Sequence, residues 1–352
     1  MSNTVQKKKA GGSSIGMLLL KARTFIALFI LLIFFSFKAP NFTEWSSIVL
    51  MVKHSSIYGL LALGMTLVII TGGIDLSVGA VAGLSGMIAG GLMIEGIRLP
   101  GVAGTIYPNV PLILLVVFVL AIIIGLFSGF LIARMNVPAF IATLGTMYIC
   151  RGAAMLRNGG ATFPTLFGDA AKGNLGFDKI GSGVIPGIQV PYSIVIFLVM
   201  AAIAAFIMKK TPLGNQIYAV GGNERAATLS GIKIRKVKLF VYVFSAFCAA
   251  LSGIIMTSQL RAAHPATGES WEMNAIASVV LGGTSMSGGL GTIGGTIVGI
   301  LVINVLNDGM IMMGVSSFWQ MVIKGIVIIV AVVIDLVQKD LQKKAALAAR
   351  SK

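Results

Sequence analysis

Side chains able to do chemistry are few in this sequence. The two histidines, His54 and His264, stand in no metal-ligand spacing, and neither a His-Glu-x-x-His zinc helix nor a Gly-x-Ser-x-Gly nucleophile elbow occurs. Nothing matches Gly-x-x-x-x-Gly-Lys-Ser/Thr, the loop that cradles nucleotide phosphates. The two cysteines, Cys150 and Cys248, fall inside apolar stretches and read as small core residues. One carboxylate, Asp75, is enclosed by apolar sequence, in Thr71-Gly72-Gly73-Ile74-Asp75-Leu76-Ser77-Val78-Gly79. An acid so placed is a candidate for handling an ion or a proton. Capping competes as its reason, because Asp75 and Ser77 offer oxygens to a new helix while Gly72 and Gly73 weaken the old one. These absences point away from an enzyme.

The elements that must position these residues are membrane spans. Of 352 residues, 57% are hydrophobic and only 11% charged, against about 25% charged in an ordinary soluble domain. Apolar runs reach the roughly 20 residues that cross a bilayer. The reading is an all-α polytopic membrane protein with about ten spans, near Thr24–Phe37, Ile48–Thr71, Ser77–Ile94, Val110–Ala133, Pro138–Leu156, Tyr192–Met208, Val237–Thr257, Met273–Leu281, Ile293–Leu306 and Phe318–Leu336. The eighth is too short to cross alone and reads as a half-helix, so broken or re-entrant segments are expected. Residues 1–23 form a basic segment before a retained first span, 24–337 a single transmembrane domain, and 338–352 a basic tail.

The formal charge of +16 would suit nucleic acid, yet its distribution has another cause. With the N-terminus inside, 18 of the 27 basic residues fall on the cytoplasmic side, among them Arg134, Lys209, Lys210, Lys233, Lys236 and Lys238. Cytoplasmic loops are enriched in Lys and Arg, and anionic headgroups attract them. Both termini are therefore expected in the cytoplasm, with membrane lipids and not nucleic acid as the basic residues' partner. Arg151 and Lys324 lie within spans, where they can snorkel, pair or line a cavity.

Glycine numbers 44, much of it in small-residue runs that let helices approach closely. The run Gly72 to Gly79 reads as a tight reversal on the cytoplasmic side. It has an echo at Leu281-Gly282-Gly283-Thr284-Ser285-Met286-Ser287-Gly288-Gly289-Leu290-Gly291. An internal five-helix repeat, as transporters often have, and convergent turn chemistry account for the echo equally well. Polar residues in apolar settings make Asp75, Ser77, Asn304 and Asn307 candidates for lining a path, with Phe140 a candidate apolar gate.

The longest markedly basic polar connection runs from Lys209 to Lys238, on the cytoplasmic side. Within it Asn223 is a good N-cap, Glu224 suits the positive end of a helix dipole, and Gly231 is a natural terminator. Asn223 to Ser230 is thus expected as a two-turn helix outside the membrane. So short a helix is marginal alone, which implies a partner packed on it, approached closely through Ala226 and Ala227. Three classes meet this pattern unequally. An enzyme lacks its residues, an ion-coupled carrier or channel has only Asp75 to work with, and a membrane subunit driven by a separate motor uses the helix directly.

In sequence order, Gly64-Met65-Thr66-Leu67-Val68-Ile69, Gly72-Gly73-Ile74-Asp75-Leu76-Ser77-Val78-Gly79, Ala139-Phe140-Ile141-Ala142-Thr143-Leu144, Gly221-Gly222-Asn223-Glu224, Asn274-Ala275-Ile276-Ala277-Ser278 and Gln320-Met321-Val322-Ile323-Lys324 make the chain resemble the permease subunits of bacterial ABC sugar importers, ribose-type, from about Pro40 to Val337. Asn274 departs from the pattern, where such permeases usually carry Asp. The resemblance implies a type II ABC importer-like fold in the bacterial inner membrane. It also implies that Gly222, Asn223, Glu224, Arg225, Ala226, Ala227, Thr228, Leu229, Ser230 and Gly231 form the coupling helix that docks on the ATPase. Two permease copies, like or closely related, would work with ABC ATPase subunits that bind ATP and Mg2+, and with a soluble sugar-binding protein. This chain itself would carry no cofactor, metal or catalytic residue. Ribose is the favoured sugar, with xylose, allose, galactose-type sugars, inositol and autoinducer-2 as alternatives.

Overall fold

The computed structural model describes the backbone of residues 10–98, 101 and 104–350, and side chains between 24 and 334 apart from residue 331. The helices are α1 (Ala10–Lys38), α2 (Trp45–Ile70), α3 (Val78–Ile94), α4 (Val110–Ala133), α5 (Ala139–Leu156), α6 (Lys179–Ser182), α7 (Tyr192–Lys210), α8 (Pro212–Gly222), α9 (Glu224–Leu229), α10 (Ile234–Leu260), α11 (Trp271–Leu281), α12 (Ile293–Met312) and α13 (Ser317–Arg350). Among the described residues seven are long and apolar enough to cross a membrane: α2, α4, α5, α7, α10, α12 and the Ser317–Ile334 part of α13. Three shorter apolar helices, the Thr24–Lys38 part of α1, α3 and α11, occupy the other stretches picked out by sequence. Of the basic N-terminal segment, residues 1–9 lie outside the described residues, and the backbone from Ala10 is already helical. The basic tail continues α13 as helix to Arg350, its side chains and residues 351–352 lying outside the described set.

Helix α10 is central, flanked by α2, α3 and α4. Lipid tails are as apolar as leucine, so burial alone does not hold such helices together; close backbone approach and polar contacts do. A Cβ on Gly64 would stand 2.7 Å from Ser245 Cα, and one on Gly125 2.6 Å from Val243 Cα, so α2 and α4 touch α10 backbone to backbone. Buried hydroxyls then bridge helices: Thr66 meets Thr296 at 2.7 Å, Ser128 meets Thr146 at 2.9 Å, and Ser252 donates to the Ile57 carbonyl at 2.9 Å. Each such bond contributes roughly 0.6 kcal/mol on average. The long outward apolar rows of α4, α5, α7 and α13 suit lipid.

Three segments leave helical geometry at depth, where every backbone group must be satisfied by protein. The first, 71–77, is not the tight reversal expected from its glycines. Gly72, at φ +83°, ends α2 with Gly72 N–H on Ile69 O (2.9 Å) and Gly73 N–H on Val68 O (3.1 Å), the paired bonds of a Schellman terminator. The chain then climbs back beside α2, so that Asp75 reaches Ser245, the residue facing Gly64. That is roughly 9 Å above the end of α2 at 1.5 Å per residue. Thr143 caps the freed Ile74 carbonyl at 3.1 Å, and α3 starts inside the bundle.

The second segment, 261–270, dips from the far end of α10 until Gly268 packs on Gly79. Arg151 answers its own ambiguity here: its Nη1 donates to the Pro265 and Thr267 carbonyls at 2.6 and 2.8 Å, satisfying the descending loop. The dip uses membrane depth, which is why α11 has only 11 residues. The third segment, 282–292, closes α11 as the first closed α2, with Gly283 at φ +88°, Gly283 N–H on Val280 O (2.9 Å) and Thr284 N–H on Val279 O (3.1 Å). Thr24 of α1 caps the Leu281 carbonyl at 2.6 Å.

Candidate coupling and translocation site

The stretch from Lys209 to Lys238 is almost all helix, and its first helix is absent from the sequence reading. Thr211 caps it, Pro212 takes the N1 position, and α8 runs to Gly222. Asn223 then serves twice, as C-cap of α8 and N-cap of α9, its Oδ1 accepting from Ala226 N–H at 2.9 Å. Gly231, at φ +81°, ends α9 with the same terminator as the first and third breaks. Gly222 thus belongs to α8, Asn223, Ser230 and Gly231 cap or terminate α9, and Glu224, Arg225, Ala226, Ala227, Thr228 and Leu229 form the short helix.

Its faces differ from expectation in one respect. Ala227 is buried inside this chain, so of the alanine pair only Ala226 faces outward. Leu229, 85% exposed, is the apolar side chain on the outer surface of α9. Glu224 is held by Lys238 of α10, whose Nζ lies 2.8 Å from both carboxylate oxygens. A cavity of about 250 Å³ opens beside this pair, bounded by Thr71, Gly73, Asn136 and Tyr242.

Below α9, three glycine pairs meet. A Cβ on Gly221 would fall onto the Ile70 carbonyl oxygen and lie 2.6 Å from Gly289 N. One on Gly288 would lie 2.7 Å from Gly221 O and 3.1 Å from Gly72 N, and one on Gly289 would be 2.9 Å from Gly222 Cα. The Gly289 N–H donates to Ile70 O at 2.9 Å, joining the third break, 282–292, to the end of α2. Tyr218 adds a strut from α8, its hydroxyl donating to the Gly291 carbonyl at 2.8 Å. Burial pushes the Tyr218 phenol above its ordinary pKa. The helix pair α8–α9 therefore rests, through α8, on the first and third breaks by glycine contacts that no side chain cushions.

The five candidate path residues do not converge. Asp75 and Ser77 are buried together: Asp75 accepts from Ser77 N–H (3.0 Å), Ser77 Oγ (2.6 Å) and Ser245 Oγ (2.8 Å). That is a satisfied Asx turn tying the first break to α10. Phe140 is 54% exposed on α5, outside the cavities described here. Asn304 and Asn307 do share a cavity, of about 240 Å³, between α2, α11, α12 and α13. It lies at the opposite end from α9, since His54 on its wall is roughly 24 Å from Ile70 along α2. The sequence reading missed the pair His54–Asp308, with Nδ1 3.1 Å from Oδ1 across the same cavity. No spacing rule joins residues 254 positions apart. Tyr218 had no signal either, whereas Thr211-Pro212 was a readable start for α8.

Residues 47–332 match the family described as the permease component of the branched-chain amino acid transport system. The ribose import permease protein RbsC of Haemophilus influenzae is 42% identical over 94% of this chain and 98% of its own length. The protein of the same name from Bacillus subtilis is 43% identical over 90% and 92%. The galactose/methyl galactoside import permease MglC of Escherichia coli is 33% identical over 88% and 92%. No solved structure matches the chain.

Proposed function

As this chain belongs to the family of membrane permease components of ABC importers, ribose-type, we propose that it carries a monosaccharide, ribose first, across the bacterial inner membrane on energy supplied by a separate ATPase. It is a transport subunit and not an enzyme. In this reading two copies, identical or closely related, form the path, with 24–337 the transmembrane domain of each and both termini in the cytoplasm. The partner ATPase holds ATP and Mg2+, and a soluble protein delivers the sugar.

The observation that carries the reading is the seating of α8–α9 on the first and third intramembrane breaks through Gly221, Ile70, Gly288 and Gly289. In an alternating-access cycle ATP binding moves α9, the breaks follow, and the pair opens outward; hydrolysis returns it. The exposed Arg225, Ala226, Thr228 and Leu229 face the ATPase. On the path, Asn304 and Asn307 are the residues we retain, Asp75 and Ser77 being engaged in holding the first break. The test is uptake into proteoliposomes containing the permease, its ATPase and its binding protein. ATP-dependent accumulation of labelled ribose is expected. Uptake by the chain alone on a proton gradient would overturn the reading.

A further inference from the structure

The cavity opposite α9 is unusual for an apolar bundle. Asp308 is buried, 7% exposed, and engages His54 by both carboxylate oxygens, at 3.1 and 3.2 Å. Asn304 is 1% exposed and uses its Nδ2 on Ile300 O at 3.0 Å, and Gln320 uses its Nε2 on Val315 O at 2.8 Å. Both side chains thereby keep their oxygens as acceptors. The Oδ1 of Asn307 is buried with no hydrogen-bond partner among the described residues. A polar atom stripped of water and left unpaired is costly, so a group placed there needs a reason beyond packing.

The inventory narrows what could supply that partner. Acceptors are plentiful, and Lys324 brings the opposing donor. With Asp308 and Lys324 on the walls, neither sign of charge dominates, which disfavours a bare anion or cation. One side of the cavity is apolar and aromatic, with Trp271 set edge-to-face on Tyr58 at 5.2 Å between ring centroids. Planar amides, a carboxylate and an ammonium around a small space with one aromatic wall suit a ligand with many hydroxyls and a C–H face. The volume, about 240 Å³, is below the roughly 300–1,000 Å³ of drug-sized sites and admits one small polyol.

We propose that this cavity is a weak, reversible station for one neutral monosaccharide inside the permease, with Asn304, Asn307 and Asp308 contacting its hydroxyls and His54 positioning the Asp308 carboxylate. The proposal rests on the importer reading and adds a binding step to it. Binding must be weak, because a sugar held tightly here would not move on.

The test uses the purified permease–ATPase complex in lipid nanodiscs, without the soluble binding protein, titrated with radiolabelled D-ribose. Saturable binding is expected in the millimolar range, displaced by excess unlabelled D-ribose and not by leucine or NaCl. Asn307→Leu keeps the forked heavy-atom shape and removes the unpaired oxygen, so its melting temperature should hold or rise while ribose binding weakens at least tenfold. A purely structural Asn307 would instead give a lower melting temperature with binding intact. Asp308→Asn preserves shape and should also weaken binding at least tenfold, which keeps the test alive if one variant misfolds. Absence of saturable ribose binding up to about 10 mM would overturn the station, as would binding unaltered in both variants. If proteoliposome uptake of ribose still occurs, that result leaves the importer reading standing. Saturable binding of leucine in place of ribose would overturn both.

Discussion

Replacing Gly221 by alanine tests the contact on which coupling depends. The added methyl falls on the Ile70 carbonyl oxygen and stands 2.6 Å from Gly289 N and 2.8 Å from the Ile70 carbonyl carbon, whereas ordinary contacts begin at 3.4 Å. All three neighbours are backbone, so no rotamer can absorb the clash. Helix α8 must withdraw by about 1 Å or more, straining the Gly289–Ile70 bond beside it, at a cost on the order of 1–3 kcal/mol. The adjacent residue is the control. A Cβ on Gly222 meets nothing within 4 Å, and Gly222 is not among the positive-φ glycines, so Gly222→Ala should be tolerated. The assay pairs thermal unfolding of the purified complex with ATPase stimulation by the sugar-loaded binding protein. Gly221→Ala should unfold several degrees earlier and lose most of its stimulation, with Gly222→Ala near wild type. Equal behaviour of the two variants would refute the claim that backbone contact at Gly221 transmits movement.

Three other outcomes follow from the same geometry. Tyr218→Phe removes the donor to the Gly291 carbonyl, and should lower stability by about 1 kcal/mol in thermal unfolding while weakening ATPase stimulation. Leu229→Asp alters a side chain exposed in the isolated chain, so the melting temperature of the permease alone should hold while co-purification with the ATPase falls sharply. Ser245→Ala deprives Asp75 of one of its three donors and should destabilise by roughly 1–3 kcal/mol, measured by unfolding in detergent, as expected for a buried acceptor left short of a partner.

Much of this arrangement was legible in residue types. Apolar runs located the helices, and Asn223 with Gly231 located α9 because capping and termination depend on local backbone geometry. The first break was located but not its path. Gly72 explains where α2 stops, yet only the distant Ser245 and Thr143 decide that the chain climbs back into the bundle. The function of Arg151 was hidden for the same reason, its acceptors lying 114 and 116 residues away. The meeting of Gly72, Gly221 and Gly288 is likewise beyond sequence: each glycine signals a close approach, and none says to what. Pro212 after Thr211 was the opposite case, a local signal masked by the basic and polar composition around it.

Asn223 has a consequence for how force enters the membrane. Because one residue closes α8 and opens α9, there is no slack between the surface a partner would push and the helix seated on the breaks. A flexible linker would let α9 swivel and dissipate a push as local rotation. A shared cap instead makes the two helices a cranked rod, with Lys238 bracing the crank against α10. Lengthening that joint by even one glycine should therefore uncouple the rod while leaving both helices intact, a separation of stroke from structure that truncating either helix could not achieve.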